Sequence, residues 1–175
     1  MKTPGILGHR SMTSDTIELV ERVRRRLREH ESTCEIIGPV AEDKISAAEV
    51  ALGVTFPPSY RAFLKTFGGI VIPPHLGVVH DFVGVEPHDS NVVQKTLAAR
   101  AERKLNENLV VVGMGAESQE WFCLDVSRAA PNGECPILMY DARDNALDQQ
   151  FYDDFGQMLD EVMGFVADSL DQPLD

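Results

Sequence analysis

Apolar positions along this chain recur at helical spacing near both ends and in short strand-like runs between. Ser14 can cap a helix in which Ile17, Val20, Val23 and Leu27 form one stripe. Asp15 and Glu18 suit that helix's positive N-terminal end. CEIIGPV (34–40) is a short apolar segment halted by Gly38-Pro39. Ile45, Ala48 and Leu52 predict a second helix, closed by Gly53 as a left-handed cap. Pro58 suits the first turn of a third helix, where its missing N–H costs nothing. There Tyr60, Phe63, Leu64 and Phe67 share the inward face while Arg61 and Lys65 face out. LGVTFPPSYRAFLKTFGG (52–69) therefore reads as a helix end, a proline-stiffened corner and a core-building helix. Its glycines read as caps and are not arranged to cradle a phosphate.

From 70 to 87 the chain is apolar but broken by Pro73, Pro74, Gly77 and Gly84, which predicts short strands and loops. Asp89 or Ser90 can cap a helix running to about Leu105, with Val92, Val93, Leu97 and Ala101 inward. LVVVG (109–113), EWFCLDV (120–126) and PILMYD (136–141) predict three strands of an antiparallel meander, since the links between them are short. DARDNALDQQ (141–150) reads as a polar loop. The closing helix, from about Asp153 to Leu170, carries Phe155, Leu159, Val162 and Val166 on one face. The pattern amounts to a single α+β domain over 14–175, a mostly antiparallel sheet packed by helices, with 1–13 as a flexible lead.

Charge narrows the function. A net charge of −12 opposes general nucleic-acid binding, because the phosphate backbone would repel it. It favours solubility and fast encounter with a basic partner. Arg22, Arg24, Arg25, Arg26 and Arg28 crowd the first helix, where they read as a solvated face. After Lys104 only Arg128 and Arg143 are basic. Cys34, Cys123 and Cys135 form no CxxC pair and leave one unpaired in any connectivity, so they read as reduced core thiols. MKTPGILGHRSM has no apolar h-region and no 18-residue apolar run follows, which predicts a soluble, cytoplasmic chain with no membrane partner.

The chemical candidates are thin. VVVGMGAES runs a strand into GxG, but the third glycine is missing and a strand follows where a dinucleotide site needs a helix. A hairpin turn explains both glycines. His75, His80 and His88 with Asp81 lack the spacing that converges ligands on a metal. No GxSxG elbow exists. The acidic pairs Asp141/Asp144, Asp153/Asp154 and Asp160/Glu161 read as solvated surface. No catalytic constellation, cofactor site or metal site emerges, and the expected class is a non-enzymatic binding protein.

Segment order adds a family resemblance. Ile45, Glu49, Leu52-Gly53, Phe56-Pro57, Tyr60, Phe63-Leu64 and Gly68-Gly69 resemble the opening motif of the SUKH superfamily, the Smi/Knr-like proteins. Trp121 to Asp125 is similar to the family's central strand, Cys135-Pro136-Ile137 with Tyr140-Asp141 to the next, and Phe155 with Leu159 to the closing helix. The resemblance covers about 45–166. Ser118-Gln119 stands where the family often has Gly-Asp, and the stretch between Gly69 and Leu109 is long. The resemblance implies no established catalysis. It implies a bacterial immunity protein that neutralises a cognate toxin, or alternatively a regulatory scaffold of the kind tied to fungal cell-wall signalling.

Charge, in turn, suggests that a basic toxin domain would be met by Glu117, Glu120, Asp141, Asp144 and Asp148, on loops at the sheet ends or along one face. A scaffold would use the basic first helix or the insert containing Phe82. A small-molecule site or hydrolase would use His80, Asp81 and His88.

Overall fold

Thr13 caps the first helix, α1 (Ser14–Glu29): its hydroxyl accepts the Thr16 N–H at 3.2 Å. Ser14 is thus the first helical residue and not the cap. The computed structural model describes residues 12–86, 91–117 and 119–172. Residues 1–11 of the expected lead lie outside them, as do Asp89 and Ser90. The remaining helices are α2 (Glu42–Leu52), α3 (Pro58–Thr66), α4 (Val92–Arg103) and α5 (Phe155–Asp171). Among the described residues seven strands occur: β1 (Glu35–Ile36), β2 (Ile70–Val71), β3 (Asp81–Phe82), β4 (Leu109–Met114), β5 (Glu120–Asp125), β6 (Ile137–Asp141) and β7 (Ala146–Tyr152). They form one sheet in strict chain order, and every pairing is antiparallel.

The central strands are buried on both faces, which is why LVVVG has no alternation. Val110, Val112, Phe122, Leu124 and Ile137 join the main core with α1, α3 and α5. Leu109, Val111, Cys123, Leu138 and Tyr140 line the opposite face with Ala99 and Leu105 of the α4 region. The aromatic stripe of α3 lies wholly inside: Tyr60, Phe63 and Leu64 are fully buried and Phe67 nearly so. Phe63 stands 4.8 Å from Phe155 and 6.4 Å from Phe82, ring centre to ring centre, so the third helix, the insert and the closing helix share one aromatic cluster. The Tyr60 hydroxyl donates to the Val83 carbonyl at 2.7 Å, which satisfies its one polar atom.

Several expectations are corrected. DARDNALDQQ is not all loop: after a turn, β7 begins at Ala146. An edge strand with solvent on both faces needs no apolar alternation, so its pattern hid it. In α4 the buried positions are Val92, Thr96 and Ala99; Leu97 is 44% exposed and Ala101 is exposed. Small side chains let α4 approach closely enough for the Thr96 hydroxyl to accept the Val111 N–H at 3.0 Å. Asn91 caps this helix through the Gln94 N–H.

In α1, Thr16 takes the inward place expected of Ile17 and donates to Asp160 of α5 at 2.7 Å. The α1 arginines are not simply solvated. Arg22 and Arg26 both pair with Asp171, and Arg26 also donates to the Leu170 carbonyl at 3.1 Å. Those cations suit the negative end of α5.

Two glycines do more than cap. A Cβ on Gly68 would sit 1.9 Å from the Gly38 carbonyl oxygen, and one on Gly84 would sit 1.8 Å from that of Gly68. Three backbone segments stack where no side chain fits. Gly53 closes α2 in the left-handed conformation and Pro58 opens α3, both as the sequence predicts.

Candidate binding surface

Two hairpin tips meet at one end of the sheet. The β4–β5 link carries Glu117, and the β6–β7 turn carries Arg143 and Asp144. Arg143 donates to Glu117 across the gap at 3.1 Å, which ties the tips together. Glu120 and Asp141 stand directly opposite each other in the β5–β6 register. Four of the five expected acidic residues thus gather at one end. Asp148 does not join them; it lies within β7.

The five are not equivalent. Asp141 accepts the N–H groups of Arg143 and Asp144, at 2.8 and 3.2 Å, so its carboxylate closes the turn. Glu117 is neutralised in part by Arg143. Asp148 accepts the Gln149 N–H at 2.7 Å. Glu120 and Asp144 have no cationic partner among the described residues. Placing Glu120 beside Asp141 brings like charges together at adjacent strand positions, an arrangement that does nothing for folding.

An apolar row lies beside this acidic end. The register sets Met114 opposite Trp121, Trp121 opposite Tyr140, and Tyr140 opposite Leu147, so the row crosses four strands and ends at the sheet edge. Trp121 and Tyr140 stack with ring centres 5.4 Å apart, and the Tyr140 hydroxyl bonds Asn145 of the turn. Leu147 is 51% exposed. Sequence reasoning missed this row because it is assembled from one residue per strand and only register reveals it.

Other candidates fall to structure or stay apart. Gly113 and Gly115 belong to the β4 bulge and the hairpin, where the Gly115 N–H donates to the Glu120 carbonyl at 2.7 Å. His75 is exposed on a turn, and His80 is held by backbone bonds to Ile72 and Met114. His88 lies outside the described residues. Among the described residues no group of three or more His, Cys, Asp and Glu could hold a metal ion. All three cysteines are free and buried. Burial pushes the Cys123 thiol up to about 12, and the Cys34 and Cys135 thiols up to about 11. Thiols so protonated are poor nucleophiles.

Other acidic residues that looked like surface are structural. Asp154 caps α5 through the Gln157 N–H at 2.8 Å. Glu49, the glutamate of the opening motif, accepts the Phe56 N–H at 2.7 Å and pairs with Arg61 at 2.6 Å, pinning the corner before α3. Arg100 donates to the carbonyls of Leu52 and Glu107, at 2.9 and 2.6 Å, fastening α2 and the β4 approach to α4. Among the described residues no helix is long and apolar enough to cross a membrane.

The architecture is α+β, a sequential antiparallel sheet with helices on both faces. A family model described as SMI1-KNR4 cell-wall (SUKH_5) matches residues 16–164, and the chain belongs to that SUKH family. The match takes in α1, which the opening motif alone left outside. No curated protein matches the chain.

Proposed function

We propose that this SUKH domain acts by binding another protein and not by catalysis, and that it serves as an immunity protein neutralising a basic toxin domain in the cytoplasm. One observation carries the reading: acidic residues converge on two joined hairpin tips whose charges exceed what the fold uses. Glu120 and Asp144 contribute no ion pair to the structure described, yet sit at the protruding end of the sheet. Such a surface raises the encounter rate with a positively charged partner. A scaffold reading would rest on α1, where Arg22 and Arg26 are engaged with α5 while Arg25 and Arg28 stay exposed, or on the insert containing Phe82.

Two-step co-purification from the native host, with mass spectrometry and then binding kinetics of the recovered partner, tests the proposal. A partner that is basic, toxic when expressed alone and tolerated with this chain supports it. A partner that is acidic, or harmless alone, removes it.

A further inference from the structure

The outer edge of β7 is the feature that the acidic tips do not absorb. Six of its seven residues are exposed. β7 ends the strand order, and among the described residues no backbone group bonds to it from the outer side. Natural edges are commonly blunted by brevity or by lysine. This edge is longer than the two-residue β1 at the other side of the sheet, and it has no lysine. Leu147 is 51% exposed and ends the apolar row; Phe151 is 44% exposed and meets Phe122 edge-on at 5.9 Å. An incoming strand would thus extend apolar contacts already built into the sheet.

Charge decides which strand fits. From Asp144 to Asp171 the chain contains no Lys, Arg or His, while Asp144, Asp148 and Asp153 punctuate the edge. A second copy would bring the same excess of carboxylates, with no Lys, Arg or His between 144 and 171 to offset them. A basic segment would meet these carboxylates beside two cations already engaged, Arg143 with Glu117 and Arg128 with the Gln150 side chain at 2.9 Å. We infer that β7 receives an extended basic segment of a partner protein by strand addition. The partner's backbone pairs with the outer edge while its Lys or Arg side chains meet Asp144, Asp148 and Asp153. This rests on the protein-binding reading above and specifies how the partner is held. Main-chain pairing would give affinity and the alternating side chains specificity.

The register shifts in the β6–β7 ladder leave Gln149 unpaired with β6, and its N–H goes to Asp148. Gln149→Pro therefore removes an amide that the ladder does not use, and leaves charge unchanged. The test uses three synthetic ten-residue probes with the full chain: alternating Lys-Val, its N-methylated form, and alternating Glu-Val. Amide resonances of the isotopically labelled protein report where each binds.

Strand addition predicts that the Lys-Val probe shifts and protects the amides of 146–152. It also predicts at least about tenfold weaker binding for the N-methylated probe, which loses its backbone donors, and weaker binding for Gln149→Pro, whose ring crowds the outer edge. Lys-Val binding that is indifferent to N-methylation and maps only to 117–120 and 141–144 overturns strand addition while the acidic-surface reading stands. Equal binding of the Glu-Val probe overturns both. Concentration-dependent dimers of the free protein, abolished by Gln149→Pro, would make a second copy the occupant and overturn the basic-partner assignment.

Discussion

The Ser59 N–H donates to Glu134 Oε1 at 3.0 Å and the Ser59 hydroxyl to Oε2 at 2.6 Å, joining residues 75 positions apart. Glu134 lies in the link between β5 and β6, and Ser59 in the first turn of α3. A buried carboxylate thus serves a helix start whose own cap position is Pro57, which offers no side-chain acceptor. Replacing Glu134 by Ala should cost about 2–3 kcal/mol, because the Ser59 amide is left buried without an acceptor. Glu134→Gln, which keeps one oxygen, should cost less. Urea unfolding of both variants measures the difference, and equal losses would show that the bonds to Ser59 carry none of it.

Phe63 contacts the Phe155 and Phe82 rings and is fully buried. Phe63→Ala should lose about 3–5 kcal/mol of stability, the range for emptying a buried Phe site. Thermal unfolding followed by near-ultraviolet dichroism reads it. A loss below about 1 kcal/mol would contradict a closed aromatic core.

The buried thiols carry a pH signature. Their folded pKa values, about 11 to 12, exceed the ordinary value of 9.0, with desolvation as the first cause. A raised folded pKa means that the contribution is whole below the unfolded value. It is then lost as pH climbs through the folded one. Stability should therefore fall between about pH 9 and 12, a loss to which the buried Tyr60, raised in the same direction, adds. At pH 8 a thiol reagent should react slowly with the native chain and count three thiols after unfolding. Rapid modification of Cys123 in the native chain would contradict its burial.

The acidic tips predict a salt-dependent association. Asp141 closes its own turn, so reversing it would disturb structure as well as field. Glu120→Lys with Asp144→Lys changes only charges without described partners. With the recovered partner, this pair should lower the association rate about tenfold or more at low salt. The deficit should shrink at high salt as the screening length falls below about 8 Å. Unfolding midpoints should move little. Unchanged association at low salt would remove these two residues from the surface.

The sequence made the helices legible where burial was one-sided, and less so where chemistry or register decided. The Tyr60, Phe63, Leu64 and Phe67 stripe and the Gly53 and Pro58 boundaries could be read directly, since each has a local cause. The inward turn of Thr16 in place of Ile17 could not, because it depends on Asp160 lying opposite. β7 was hidden because an edge exposed on both faces leaves no periodic trace. Among the acidic candidates, composition could not separate Asp141, which closes a turn, from Asp144, which has no described ion pair; that needed coordinates.

The pairing of α1 with α5 has a consequence for the making of the protein. Thr16 and Asp160 are 144 positions apart, while each strand pairs with its neighbour in the chain. During synthesis at about 5–20 residues per second, α1 therefore waits about 7–30 s before its main packing partner leaves the ribosome. Through that interval Val20, Val23 and Leu27 have no α5 to cover them, although the sheet can assemble strand by strand. This helix is thus made before the sheet yet secured after it, and nascent chains halted before residue 155 should leave it open to protease.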